Sequence, residues 1–304
     1  MGEVISWIVD PLGYAFMVRG LIAAVVVGGV CAILGTYVIL RGMALFGHSL
    51  AHAVLPGVAV AYLLGGANPV FLFLGGLIAG VLTAAGIGFV SREGLLKEDT
   101  ATGVVFIGMF ALGIALISTV RSFTADLTHF LFGNVLGVAT SDLWLTAVFG
   151  ALVLVTLFLF YKELLVYSFD PVLAKTLRLP TTFLNYVMLV LMAITIVLSL
   201  QTVGIALMSA MLVTPAGTAY LLSQRLPMMM VLSAGFGTLS AVGGLYLSFY
   251  INIASGPAIV LLCTLFFLLA FIFSPRTGLI KRWKFIRRKQ PNSGRLPAEH
   301  RFSP

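Results

Sequence analysis

Long apolar runs recur along this chain of 304 residues, each about 20 residues in length, with short polar breaks between them. An α-helix needs a run of that length to cross the hydrocarbon layer of a bilayer. Hydrophobic residues form 60% of the sequence and charged residues 9%, whereas a soluble domain carries roughly 25% charge. The runs lack the alternation of apolar and polar residues that barrel strands show. The sequence therefore predicts an all-α, polytopic membrane helical bundle.

The bundle is predicted to hold eight or nine transmembrane helices. The nine runs are residues 20–40, 44–65, 70–91, 102–120, 143–161, 182–202, 204–223, 229–251 and 256–274. Lys and Arg are concentrated in alternate breaks, beginning at Arg41, and the positive-inside rule places those breaks in the cytoplasm. The C-terminus is thus predicted to be cytoplasmic and the N-terminus external. Arg19 and Arg121 are exceptions, because both fall in breaks assigned to the outer side.

The ends of the chain are predicted to differ from its centre. Residues 1–275 form one transmembrane domain, and 276–304 form a basic, partly disordered cytoplasmic tail that holds nine of the 18 basic residues. A basic cluster beside a final span is typical of a cytoplasmic anchor that contacts anionic membrane lipid. Lipid therefore explains the net positive charge, and nucleic acid is not predicted as a partner. Residues 5–17 lack a basic leader and predict an interfacial helix or lead-in, not a cleaved signal peptide. Residues 121–142 predict a re-entrant or interfacial helix on the outer side.

Two histidines stand out within the second apolar run, in the segment MALFGHSLAHAVLPGVAV. His48 and His52 are the only His, Asp, Glu, Lys or Arg residues well inside a predicted span. A spacing of four places both rings on one helical face, close enough to share a cation. Because ionisable groups are costly in a bilayer, the pair favours a path for metal ions or protons over simple packing. Pro56 and Gly57 follow, where a lost backbone bond allows a hinge beside the site.

Several sequence blocks, in order along the chain, resemble the metal-type ABC permeases, the ABC-3 family. The first is Arg41, Met43, Ala44, Gly47, His52 and Leu55-Pro56-Gly57. Others are KEDTATGVVFIGMFALG, DLTHFLFGNVLG, SFDPVLAKTLRLP, LQTVGIALMSAMLVTPAGTAYLL and GLYLSFYINIASGPAIVL. The resemblance implies a multi-pass permease subunit of a bacterial importer of manganese, iron or zinc, located in the cell (inner) membrane. The later blocks are more similar to the manganese and iron branch than to the zinc branch.

The resemblance also implies the roles of particular residues. In this family an Asp and a His of the second span are thought to bind the passing metal. His52 matches that His, whereas His48 stands at the usual Asp position. An imidazole in place of a carboxylate shifts metal preference from Mn²⁺ toward Fe²⁺ or Zn²⁺. The metal is cargo, and no permanently bound cofactor is implied.

A short helix opening at Asp170-Pro171 is predicted between two spans, because Asp is a good N-cap and Pro suits the first helical position. By resemblance this segment, with Ala174 and Lys175, is the coupling helix that docks on an ATPase; an ordinary capped loop helix is the alternative. The chain contains no GxxxxGK[ST] phosphate loop of its own. The partners implied are cytoplasmic ATP-binding subunits, an extracytoplasmic metal-binding protein and a second permease, either identical or paralogous.

Two other functions are compatible with a histidine pair. One is a secondary metal/proton antiporter, although such proteins usually carry acidic residues within their spans. The other is a membrane metalloenzyme, but His48 is followed by Ser49 and no HExxH motif is present. His129 is a third ligand only if the outer segment reaches inward.

Overall fold

The structure is a computed structural model, and it describes residues 9–66, 68–91, 98–118 and 135–274. Within these ranges the chain is helical and contains no strand. Short 3₁₀ helices lie at Asp10–Gly13 and Val135–Gly137. The α-helices are α1 Ala15–Leu40, α2 Ala44–Ala53, α3 Leu55–Gly65, α4 Pro69–Ser91, α5 Glu98–Ser118, α6 Thr140–Leu159, α7 Tyr161–Phe169, α8 Pro171–Thr176, α9 Thr181–Val203, α10 Ile205–Leu222, α11 Leu226–Ile251 and α12 Ser255–Phe273.

Nine helical segments of the described ranges are long and apolar enough to cross a membrane, which confirms the predicted bundle. The second of them, Ala44–Gly65, consists of α2 and α3 in succession. The helix ends lie within a few residues of the predicted run ends. The predicted basic tail at 276–304 and most of the segment 121–142 lie outside the described residues.

The first span begins earlier than its apolar run. α1 starts at Ala15, so the prediction that placed Arg19 in a break was wrong. The Arg19 Nε donates a hydrogen bond to the Ala15 carbonyl, 3.3 Å away, which is one turn back in the same helix. A long basic side chain can therefore begin a span, because its charged head reaches back toward the polar edge of the membrane.

Close helix packing fixes the centre of the bundle. α1 and α9 are the most buried spans, whereas α5, α6 and α12 are the least buried. α1 packs against α11, where the Ser233 hydroxyl donates to the Ala32 carbonyl at 2.7 Å. α1 also packs against α10, whose Leu212 lies directly over Gly35 of α1 and Gly47 of α2. These contacts hold α2, which carries both histidines, against the bundle core.

The junctions between helices define two ends of the bundle. At the Arg41 end, α1 stops and α2 starts, and α7 and α8 lie beside the start of α9, as shown by a cavity lined jointly by Arg41, Tyr167 and Thr181. At the Gly66 end, α3 stops and α4 starts. By the positive-inside rule the Arg41 end is the one predicted to face the cytoplasm.

Candidate functional site

The two histidines lie one turn apart on α2, as their spacing predicts. Their ring centroids are 4.9 Å apart, and the rings meet edge to face at 79°. The His48 side chain is exposed on the surface of this chain, and the His52 side chain is half-buried. Two imidazoles at this separation can contribute nitrogen atoms to one metal ion, and neutral imidazole is a common ligand for such ions.

His52 is enclosed on one side by aromatic rings of α5. The centroid of Phe110 lies 5.4 Å from that of His52, and the centroid of Phe106 lies 6.2 Å away. The Nδ1 atom of His52 is buried, and no residue of the described ranges forms a hydrogen bond with it. A buried polar nitrogen of this kind costs free energy unless it gains a partner. A metal ion or an ordered water would supply that partner.

His48 has a polar neighbour on another helix. Its Nδ1 lies 3.4 Å from the hydroxyl oxygen of Ser209 on α10. A contact through Nδ1 turns Nε2 away from Ser209 and leaves it as the nitrogen for a metal. Hydrogen bonds of this type orient the imidazole ligands of metal sites.

The described part of the chain supplies only these two ligands. No group of three or more His, Cys, Asp or Glu side chains suited to a metal ion occurs within the described ranges. The His129 hypothesis concerns a residue outside those ranges. Within the described spans, Asp and Glu occur only in first turns, at positions 98, 99 and 142. Any third His, Cys, Asp or Glu ligand at the pair would therefore come from another chain or from residues outside the described ranges.

The span breaks immediately after the histidines. α2 ends at Ala53, Val54 lies between the helices, and α3 begins at Leu55 with Pro56 as its second residue. Because Pro56 has no amide hydrogen, it cannot donate to the carbonyl of His52 four residues earlier. Gly57 is packed against Gly75 of α4 so tightly that a Cβ at either position would strike the other's carbonyl oxygen. The interruption at Val54 adjoins the predicted hinge positions Pro56 and Gly57, and their role as a hinge stays a prediction.

At the Arg41 end, the Asp170-Pro171 segment forms α8 with the predicted cap. Asp170 Oδ1 accepts hydrogen bonds from the amides of Val172 and Leu173, at 2.9 and 3.0 Å. Pro171 occupies the first helical position. The helix stops where Arg178 adopts a positive φ of 57°, and the amide of Leu179 donates to the carbonyl of Ala174 at 3.0 Å. The segment is therefore a rigid, doubly capped helix of six residues.

α8 presents an apolar surface beside one charge. Ala174 is fully buried against the bundle, whereas Lys175 is exposed. Val172 is 73% exposed and Leu177 56% exposed. Exposed apolar side chains next to a charge are typical of a surface that contacts another protein. This arrangement fits docking, the role that the resemblance implies.

Sequence reasoning missed the side chains that surround the histidines. Ser209 is 161 positions from His48, and only folding brings them together. Phe106 and Phe110 lie in an apolar run that contains other aromatic and aliphatic residues, so nothing in their pattern marks them. The resemblance included the blocks that contain all three residues, but it gave them no role.

Comparison with known proteins gives one consistent result. The family model described as the ABC 3 transport family matches residues 13–274. The manganese transport system membrane protein MntC of Halalkalibacterium halodurans is 47% identical over 280 residues, covering 92% of this chain and 94% of the relative. The chelated iron transport system membrane protein YfeD of Yersinia pestis is 39% identical over 274 residues, covering 90% and 91%. The solved structure of PsaBC from Streptococcus pneumoniae in complex with Fab matches with a TM-score of 0.80 and 39% identity, covering 92% of this chain and 99% of that one.

Proposed function

Because the chain belongs to the ABC 3 transport family, we propose that it is the transmembrane permease subunit of an ATP-driven importer for a divalent transition metal, namely manganese, iron or zinc. The observation that carries this proposal is the pair His48 and His52, whose ring centroids lie 4.9 Å apart, edge to face, within a span. The relatives support the choice of cargo, since their names refer to manganese or chelated iron transport. The membrane is the inner or cell membrane of a bacterium.

The metal site is proposed to form between two permease chains. His48 is exposed on a membrane span, and a polar ring facing lipid is unfavourable. Leu45, three residues before it on the same face, is 68% exposed. A second chain, identical or paralogous, would cover this face and bring its own ligands to the ion. With an identical partner, four imidazoles would surround one metal ion. Four ligands are the usual number for Zn²⁺.

The energy for transport is proposed to come from separate ATP-binding subunits at the Arg41 end. No phosphate-binding GxxxxGK[ST] loop occurs in the sequence, so the permease itself is not an ATPase of that type. α8, from Pro171 to Thr176, is the proposed contact with the ATPase, and its exposed apolar side chains support that role. An extracytoplasmic metal-binding protein would deliver the ion at the Gly66 end.

In the proposed cycle, ATP binding moves α8 and opens the Gly66 end toward the delivery protein. The ion passes to His48 and His52, and ATP hydrolysis then returns the bundle to the state that releases it to the cytoplasm. The break at Val54, with Pro56 and Gly57 after it, allows α2 and α3 to change their relative angle during this cycle. Neutral imidazole binds the ion, whereas imidazolium repels it.

Metal uptake by a reconstituted complex tests the site. Permease, ATPase and delivery protein would be assembled in vesicles, and ATP-dependent entry of labelled Mn²⁺, Fe²⁺ and Zn²⁺ would be followed in competition. His52→Ala should lower uptake by roughly tenfold or more, because it removes a direct ligand. Ser49→Ala, on the same helix next to His48, is the matched control. Unchanged uptake in the His52→Ala complex would refute the site.

His48 is proposed to set metal preference. A carboxylate favours hard ions such as Mn²⁺, and imidazole favours Fe²⁺ and Zn²⁺. His48→Asp should therefore raise uptake of Mn²⁺ relative to Zn²⁺ in the same competition assay. A ratio equal to that of the unmodified complex would show that position 48 does not select the ion.

No observation favours the antiporter or the metalloenzyme. Asp and Glu are confined to first turns of the described spans, so these spans hold no acidic group at depth to couple protons. Vesicles carrying a pH gradient but no ATP separate the two transport mechanisms, because uptake without the ATPase would support antiport. Peptide cleavage by the isolated chain would support the enzyme.

A further inference from the structure

Arg41 occupies the corner between α1 and α2 and contacts two other helices. Its Nη2 donates hydrogen bonds to Asn185 Oδ1 of α9 at 2.9 Å and to the Tyr167 hydroxyl of α7 at 3.3 Å. The guanidinium carbon lies 4.8 Å from the centroid of the Tyr167 ring, in cation–π geometry. One side chain thus joins three elements at the Arg41 end.

The helix α7, which carries Tyr167, leads directly to α8. Tyr167 lies three residues before Asp170, the N-cap of α8, and its side chain is 8% exposed. α7 ends at Phe169, so Tyr167 and α8 are connected by less than one helical turn. A displacement of α8 must therefore move Tyr167 or strain the chain between them.

The corner between α1 and α2, which holds Arg41 itself, leads to the histidines. The backbone turns at Gly42, whose φ is +70°, and the amide of Met43 donates to the carbonyl of Val38 at 3.0 Å. α2 then begins at Ala44. His48 follows Arg41 by seven residues, which corresponds to roughly 10 Å along a helix. The turn is short and hydrogen-bonded, so a pull on Arg41 is transmitted to the start of α2.

The surroundings of Arg41 leave space for such a movement. A polar cavity of about 230 Å³ lies between the corner and α8, and its lining includes Arg41, Tyr167, Pro171, Lys175 and Asn185. A close-packed junction would resist displacement, because protein interiors tolerate little overlap. A cavity at this point allows α8 to approach or leave α9 while the hydrogen bonds of Arg41 rearrange.

We propose that Arg41 is the positioning residue that transmits movement of α8 to the histidine helix α2. When α8 moves, Tyr167 moves with it and pulls the guanidinium of Arg41. The corner between α1 and α2 then shifts with respect to Asn185 on α9. This inference rests on the proposed function, because it assumes that α8 contacts the ATPase. An arginine suits the role because its planar guanidinium donates from Nη2 to both acceptors while its carbon lies over the Tyr167 ring. A lysine ammonium is a compact charge that lacks this flat, delocalised group.

The test compares ATP hydrolysis with metal uptake in the same vesicles. Arg41→Lys keeps the positive charge and removes the planar guanidinium, and Tyr167→Phe keeps the ring and removes the hydroxyl. For both variants, metal ions imported per ATP hydrolysed should fall, by about fivefold or more for Arg41→Lys. Basal ATP hydrolysis measured without metal, and direct Zn²⁺ binding to the purified permease, should stay within about twofold of the unmodified protein. Arg19→Lys is the matched control, since Arg19 contacts only a carbonyl of its own helix among the described contacts.

The outcomes distinguish this inference from the proposed function. An unchanged ratio of ions to ATP in Arg41→Lys or in Tyr167→Phe overturns the role of Arg41. A parallel loss of hydrolysis, uptake and Zn²⁺ binding also overturns it, because it shows a structural role alone. If His52→Ala leaves Zn²⁺ binding intact, the metal site fails, while the ratio measured for Arg41→Lys still reports on coupling.

Discussion

The close approach of α3 and α4 beside the histidines can be tested by adding a single methyl group. In Gly57→Ala the new Cβ would strike the Gly75 carbonyl oxygen and would lie 2.5 Å from the Ala79 Cβ. Carbon atoms in contact are normally about 3.5 to 4.0 Å apart, so α3 and α4 must separate by at least about 1 Å. The helices cannot separate without losing the other contacts along their length.

The expected cost follows from the overlap. Overpacking of this kind typically destabilises a core by about 1 to 3 kcal/mol, and a backbone oxygen cannot move aside as a flexible side chain does. We therefore expect the upper part of that range, which corresponds to a fall of roughly 5 °C or more in the unfolding temperature. Because α3 begins directly after the histidine helix, the displacement should also lower metal uptake.

The assay is heating of the purified permease in detergent, followed by size-exclusion chromatography of the fraction that remains soluble. Gly29→Ala is the matched control, because a Cβ at Gly29 of α1 would meet nothing within 4 Å. Alanine is a better helix former than glycine, so the control should be neutral or slightly more stable. Equal unfolding temperatures for Gly57→Ala and Gly29→Ala would refute the reasoning from the α3–α4 contact.

Further predictions concern the site and the coupling helix. Ser209→Ala should weaken Zn²⁺ binding about tenfold in isothermal titration while leaving the unfolding temperature nearly unchanged, because it removes only the group that orients His48; wild-type affinity would contradict this. Uptake by the unmodified complex should fall as the solution is made more acidic, since protonated imidazole no longer binds metal. His48→Asp should make that pH dependence shallower, and an equally steep profile would argue against a role for His48. Asp170→Ala removes the N-cap of α8, so it should lower stability by about 1 kcal/mol and reduce co-purification of the ATPase. Asp170→Asn should retain most of the stability and most of the co-purified ATPase, because Asn is also a good N-cap.

Local features of the sequence were sufficient to predict the spans. Each transmembrane helix satisfies its own backbone hydrogen bonds, so its existence depends on the hydrophobicity of one contiguous run. The ends were less well predicted, because a helix can continue past its apolar run where a side chain reaches polar surroundings. Arg19 is an example. Its charge set the start of the predicted run at residue 20, yet α1 begins at Ala15 and the hydrogen bond from Arg19 to Ala15 lies within that helix.

Parts of the candidate site also follow from local sequence features. The spacing of His48 and His52 placed both rings on one face of a helix, because side chains four residues apart always meet there. The capping of α8 by Asp170 was equally local. The interruption at Val54 is local as well, because the missing amide of Pro56 removes one helical hydrogen bond next to the predicted hinge.

Sequence alone thus determined a bundle of membrane-spanning helices with a histidine pair in the second span, since backbone satisfaction and helical periodicity act over a few residues. Only the tertiary structure placed Ser209 beside His48 and joined Arg41 to Tyr167 and Asn185, across 161, 126 and 144 positions. Contacts between distant segments depend on how helices pack, and packing is decided by the shapes of many side chains and small residues at once. No short stretch of sequence carries that information.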